Sequence, residues 1–342
     1  ADPDPRSGVR LIRQSVLTLL FMLERRPPTL KHLYESILRR YGTTPAIKFG
    51  DQTVTYRDLE EDSARLANAL IDRGFDPEER VGILLSNCPE YTVADIALAR
   101  AGLAKVPLND MLSSEDVEYM LQNSEASALI VGPEFVETAQ DIAPNVPTLQ
   151  RLVTIDAPDR SEDVNGCAVE PFEDVLEDGG TTVPDVSVQS STLAGVFHTG
   201  GTTGDPKGVK HSQRNLVLNA IAHAIELDIR PRDQLLLMTP LPHSAGLIMA
   251  GGLTQGCTHT IKQGFDAERA LEAIERERIS WTFMVPTMVY RILDRLEEQS
   301  YDISSLETLV YGAAPMKPDR LREGLDKLGD VFVQLYGQYE TP

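Results

Sequence analysis

Short apolar runs alternate with amphipathic stretches along most of this chain, and no other feature constrains its fold as tightly. Val81-Gly-Ile-Leu-Leu85 is an unbroken apolar run of strand length, and residues 90–101 behind it carry helical spacing. Lys105-Val-Pro-Leu108 is a second short strand. Ser113, with Glu115 and Asp116 after it, is a helix start: a hydroxyl cap followed by acid in the first turn. Ala128–Val131 and Arg151–Ile155 are further strands. Strands that are apolar throughout are buried on both faces, so the alternation predicts α/β architecture, a mostly parallel sheet covered by helices.

The rhythm breaks between Asp156 and Asp185. This stretch holds ten acidic residues against the single Arg160 and contains Gly179-Gly180, which reads as a mobile surface connection joining two α/β lobes. The alternation then resumes. Strands are expected at 194–198, 234–238, 281–285, 308–311 and 331–335, with helices near 215–226, 267–277, 287–299 and 318–328.

Composition excludes several classes of function. A chain of 342 residues that is 42% hydrophobic builds a large core. The apolar run Val16 to Met22 is far too short to span a bilayer, so a packed or surface-lying helix behind a short leader is expected there. A formal charge of −20 opposes nucleic-acid binding, because a polyanion repels such a surface. With 24 Arg and only 8 Lys inside that acidic excess, the composition resembles that of proteins from salt-loving microbes, where counterions screen self-repulsion. Cys88, Cys167 and Cys257 are too few and too scattered for a disulfide framework or a zinc site, and they point to a reducing, cytoplasmic setting.

The strongest local signal is Thr199-Gly-Gly-Thr-Thr-Gly-Asp-Pro-Lys-Gly208, read as lying between an apolar strand and an amphipathic helix. Gly200, Gly201 and Gly204 let the backbone approach a phosphate and turn its N–H groups toward it. Thr199, Thr202 and Thr203 add hydroxyls, and Lys207 adds a mobile positive charge. The spacing is not that of a Walker loop, and the dinucleotide fingerprint is absent. A loop that merely turns a corner has little use for so many hydroxyls beside a lysine.

This loop resembles the signature of the adenylate-forming, or AMP-binding, superfamily, which includes acyl- and aryl-CoA synthetases, peptide-synthetase adenylation domains and luciferases. Val54-Thr-Tyr-Arg-Asp-Leu59, the segments 80–87 and 100–109, and Pro240-Leu-Pro-His-Ser-Ala-Gly246 resemble its further elements in order. So do Tyr311-Gly-Ala-Ala-Pro315 and Tyr336-Gly-Gln-Tyr-Glu340. The likeness is greatest to acyl-CoA synthetases that activate a fatty or aryl acid. It implies two similar, mostly parallel-sheet α/β lobes of the large N-terminal domain, with most of the barrel-like subdomain and the C-terminal domain lying beyond Pro342. The boundaries expected are a leader and helix over 1–28 and the large domain over 29–342. Its lobes would fall at roughly 75–212 and at 29–74 plus 213–342.

The resemblance also implies site roles. Thr199 to Gly204 and Lys207 would hold phosphates, with Lys207 and His243 serving the chemistry. His243, Ala245, Gly246, Tyr311 and Gly312 would border the acid. Gly312, Ala313, Ala314 and Pro315, with Tyr336, Gly337, Gln338 and Tyr339, would seat the nucleotide, and Glu340 would help hold Mg²⁺. Relatives usually carry Thr where this chain has Tyr339, so a contact from that position to the α-phosphate is not carried over. The reaction implied is ATP- and Mg²⁺-dependent conversion of a carboxylic acid to acyl-AMP with release of pyrophosphate, followed by thioester formation with CoA. A module that loads a carrier protein and a non-catalytic nucleotide binder remain as alternatives. A serine hydrolase is disfavoured, since G-x-S-x-G does not occur. The oligomeric state is left open.

Overall fold

A computed structural model describes residues 28–156, 163–164, 166–200 and 205–340. The expected leader and N-terminal helix lie outside these residues, apart from Pro28. Helix α1 (Leu30–Tyr41) precedes an antiparallel hairpin of β1 (Pro45–Phe49) and β2 (Gln52–Thr55), then α2 (Tyr56–Asp72). The chain next enters a sheet made of β3 (Arg80–Leu84), β4 (Ala104–Leu108), β5 (Ala126–Val131), β6 (Arg151–Thr154), β7 (Ala168–Pro171), β8 (Leu193–His198) and β9 (Gly208–Ser212). Helices α3 (Pro89–Ala101), α4 (Ser114–Ser124), α5 (Val136–Ile142) and α6 (Phe172–Asp178) intervene. It returns through α7 (Gln213–Glu226) to β10 (Gln234–Leu237), β11 (Thr258–Ile261), β12 (Trp281–Met284), β13 (Thr308–Tyr311) and β14 (Phe332–Gln334), which join β1 and β2. Between those strands run α8 (Gly246–Thr254), α9 (Ala267–Glu277), α10 (Pro286–Glu298) and α11 (Pro318–Leu328).

The two sheets share one winding. Their strand orders are β14-β13-β12-β10-β11-β1-β2 and β7-β6-β5-β3-β4-β8-β9. Strands β10 to β14 therefore repeat the path of β3 to β7, and the hairpin β1–β2 takes the place of β8–β9. Within each sheet every pairing is parallel except that of the hairpin. The expected α/β class with two similar parallel lobes is what the chain adopts. Strands β5 and β12 are buried along their whole length, which is why they read as unbroken apolar runs. Helix α3 is buried on every side, Arg100 included, as an alanine-rich helix between layers must be.

The structure corrects two expectations. The acidic stretch does not join the lobes, because it leaves and re-enters the same sheet. Residues 168–178 form β7 and α6, with Phe172 and Val175 in the core and Glu170 paired to both Arg73 and Arg151. Glu170 and Asp178 face cations on neighbouring elements, an arrangement that a count of acids in sequence cannot show. The second correction concerns the phosphate loop. Residues 208–212 form β9, antiparallel to β8, so the loop closes a hairpin and is separated from the α7 N-terminus by a strand. Gly-Val-Lys-His-Ser is too short and too polar to read as a strand by pattern.

Candidate active site

Four strand ends of the first sheet surround a cavity of about 420 Å³. Thr239, Pro240, His243, Ser244 and Leu247 line it from beyond β10, Phe283 from β12, Val285 from just beyond it, and Ala313 from beyond β13. Residues 335–339 close it after β14, and His223 of α7 reaches it from the side. The walls are largely apolar with a few polar groups, as suits a small organic ligand.

The turn after β10 is shaped by its own sequence. Pro240 and Pro242 stiffen it, and His243 leaves helical geometry at φ −106° and ψ −149°. Gly246 is required there, because a Cβ would stand 2.2 Å from the Leu241 carbonyl oxygen. Ala313 holds φ at +65°, turning the chain sharply past the end of β13.

His243 is tied at both ring nitrogens. The Asn109 side-chain amide lies 2.7 Å from Nε2, and the Tyr339 hydroxyl lies 2.5 Å from Nδ1. His243 is solvent-exposed on one side, yet the protein packed around its ring partly desolvates it and lowers its pKa, against a smaller opposing pull from Asp110. Tyr339 stacks on the His243 ring at 6.1 Å between centroids and packs against Phe197 at 5.4 Å. Its carbonyl accepts a hydrogen bond from His211 Nε2 at 2.7 Å. Burial raises the Tyr339 pKa, keeping the phenol protonated. Phe197 belongs to β8, two residues before Thr199, so the Gly/Thr loop and the cavity share this aromatic wall.

The sequence-expected residues divide into three groups. His243, Ala313, Tyr336, Gly337, Gln338 and Tyr339 meet around the cavity, with Tyr336 85% exposed at its mouth. Ala245 and Gly246 are packed into the core, and Tyr311 and Gly312 are buried; none of these four lines the cavity. Ala314, Pro315 and Glu340 are exposed nearby in sequence but off the cavity wall. Thr199 is half-buried and donates from its backbone N–H to the Lys207 carbonyl at 3.0 Å, closing the loop, while Gly200 and Lys207 are exposed. Gly201, Thr202, Thr203 and Gly204 lie outside the described residues. Among the described residues no three His, Cys, Asp or Glu side chains converge to hold a metal by themselves.

Sequence reading passed over Asn87 and Asn109. Asn87 lies three residues beyond β3 and Asn109 immediately follows β4. Asn87 accepts from the Leu241 N–H at 2.8 Å and donates to the carbonyls of Thr239 and Lys262 at 2.9 and 3.0 Å. A carboxamide just beyond a buried strand was the available signal. His223, Phe283 and Val285 gave none, since each reads as an ordinary core residue.

The sequence profile of the AMP-binding enzymes matches residues 34–342. The chain is 30% identical over 323 residues to a medium/long-chain-fatty-acid–CoA ligase of Mycobacterium tuberculosis, covering 94% of this chain and 56% of that protein. It is 33% identical over 309 residues to a feruloyl-CoA synthase of an Amycolatopsis species, covering 89% and 58%. An indoleacetate–CoA ligase of Aromatoleum aromaticum is 34% identical over 319 residues, covering 90% and 60%. The chain thus spans somewhat over half the length of these relatives. In fold it is similar to an anthranilate–CoA ligase solved with anthranoyl-AMP, with a TM-score of 0.82, 22% identity, and 89% of this chain and 59% of that one covered. The N-terminal domain of FACL13 from Mycobacterium tuberculosis gives a TM-score of 0.82 at 23% identity, covering 91% and 76%. Among the described residues no helix is long and apolar enough to cross a membrane.

Proposed function

This chain belongs to the AMP-binding enzyme family, and from that premise we propose that it activates a carboxylic acid as its acyl-AMP, within a protein that then passes the acyl group to CoA. The observation that carries the reading is the shared wall: Phe197 leads into the Gly/Thr loop and packs on Tyr339, which lines the cavity. A phosphate loop and an acyl-sized apolar cavity thereby stand side by side, as transfer between a carboxylate and an α-phosphorus requires. That relatives are named for fatty, feruloyl and indoleacetyl substrates supports an apolar or aryl acid.

Both reactants are anions on a chain of formal charge −20, so positioning and charge neutralisation dominate the chemistry. Lys207, exposed at the loop's end, is assigned to the phosphates, together with the hydroxyl and N–H donors that the sequence from Thr199 to Gly204 supplies. The exposed ring of Tyr336 offers adenine an aromatic face beside Ala313. His243 bounds the acid. Glu340 is a single exposed carboxylate, a donor set that fits Mg²⁺, which takes one or two protein carboxylates and completes its shell with phosphate and water oxygens. Bound there, the ion would neutralise phosphate charge. The acidic, lysine-poor composition supports action in a salt-rich cytoplasm, so the melting temperature is expected to climb with added KCl.

The decisive test is acid-dependent ATP–pyrophosphate exchange by the complete protein, across fatty acids, ferulate, indoleacetate and amino acids, with CoA added afterwards. Exchange with one acid class and thioester formation on adding CoA is expected. Folded protein that binds ATP but exchanges with no acid would overturn the proposal.

A further inference from the structure

Building on the acid-site reading, we propose that Asn109 and Tyr339 are positioning residues that hold His243 uncharged with its proton on Nδ1. The ring then serves as a fixed neutral wall of the cavity and not as a proton carrier.

The proton positions follow from one fixed end of a hydrogen-bond chain. The Met111 backbone N–H donates to Asn109 Oδ1 at 3.0 Å, which orients the carboxamide. Its Nδ2 therefore faces His243 Nε2 at 2.7 Å and donates, so Nε2 is the unprotonated nitrogen. The proton then sits on Nδ1 and is given to the Tyr339 hydroxyl oxygen at 2.5 Å. That hydroxyl donates onward to the Pro242 carbonyl at 3.3 Å. All four bonds run in one direction, and each strengthens the next by polarising it.

The chain also joins both sheets at one point. Asn109 follows β4 of one sheet, His243 follows β10 of the other, and Tyr339 follows β14, held from behind by His211 of β9. The groups facing His243 are Asn109, Tyr339 and the carboxylate of Asp110, which alone favours a charged ring. Partial desolvation of this otherwise exposed ring outweighs that pull.

The consequence for the acid is chemical. An imidazolium would trap the substrate carboxylate in an ion pair and lower its nucleophilicity. A ring with both nitrogens already engaged leaves the carboxylate free to attack. Tyr339, where relatives usually carry Thr, is thereby assigned to the support of His243 and not to a phosphate.

Long-range ¹H–¹⁵N correlation spectra of the ¹⁵N-histidine-labelled chain test this without any ligand, with His243→Gln identifying the signal. The wild-type ring is expected to show a protonated Nδ1 and a bare Nε2 at neutral pH. Asn109→Asp presents an acceptor to Nε2 and should raise the His243 pKa by about one unit or more, so that the doubly protonated ring persists to higher pH than in the wild type. Tyr339→Phe removes the acceptor for Nδ1–H and should shift the tautomer ratio by about tenfold, the worth of one hydrogen bond. A bare Nδ1 in the wild type, or spectra unmoved in both variants, overturns the assignment. If the ring state is as stated but no acid supports exchange, the acid-site reading fails and the ring state stands.

Discussion

Asn87 accepts a hydrogen bond from the Leu241 backbone N–H at 2.8 Å, tying the carboxyl end of one sheet to the turn that carries His243 in the other. The same side chain donates to the Thr239 and Lys262 carbonyls. Asn87→Ala would strand three backbone groups at a buried position. It is expected to lower unfolding stability by about 2–3 kcal/mol in urea titrations. A loss smaller than about 0.5 kcal/mol, the range of a neutral surface change, would refute that role.

Lys105 and Asp95 form a buried ion pair at 2.6 Å, with the ammonium also 5.6 Å from the Phe197 ring centroid. Lys105→Ala leaves the Asp95 carboxylate buried with no cation and only the Tyr34 hydroxyl, at 3.5 Å, donating to it, and should cost about 3–5 kcal/mol. The double change Lys105→Met with Asp95→Leu removes both charges and should recover most of that loss. Equal melting temperatures for the single and double variants would show that packing volume, not the stranded charge, sets the cost.

Stability should fall on the acid side because of buried histidines. His259 donates from Nδ1 to the Ala46 carbonyl at 3.0 Å, Nε2 has no partner, and burial lowers its pKa from 6.5 to about 4. Between those values the unfolded chain binds a proton that the folded chain refuses, so stability is full above pH 6.5 and declines toward pH 4. His259 alone accounts for about 3 kcal/mol of this decline at 1.36 kcal/mol per unit. Burial lowers His198, His211 and His223 too, adding in the same sense. Denaturation series across this range should show a shallower slope in His259→Gln. An unchanged slope would remove His259 from the account.

Lys207→Ala separates binding from stability. The side chain is exposed, so the unfolding free energy should stay within about 0.5 kcal/mol of the parent. ATP affinity by calorimetry should drop about tenfold or more, through loss of a charge-assisted contact. An unaltered affinity would place the phosphates elsewhere.

Much of the architecture could be read from pattern, and the reasons lie in particular segments. Residues 126–131 and 281–284 are buried on both faces of a sheet, so their burial is written directly into consecutive apolar residues. Edge elements are written less plainly. Strand β9 is half polar because one side of a sheet edge has no neighbour to exclude water. Strand β7 and helix α6 were hidden in an acidic stretch whose Glu170 meets Arg73, 97 residues earlier.

The sequence by itself determined the α/β rhythm, the Gly/Thr/Lys loop chemistry and the family motifs, because each is a property of neighbouring residues. Only the tertiary structure decided which of those residues meet. His243 finds its two ring partners 134 residues before it and 96 residues after it. Parallel sheets gather carboxyl ends that are remote in sequence along one edge, and local pattern carries no record of which side chains touch across that edge.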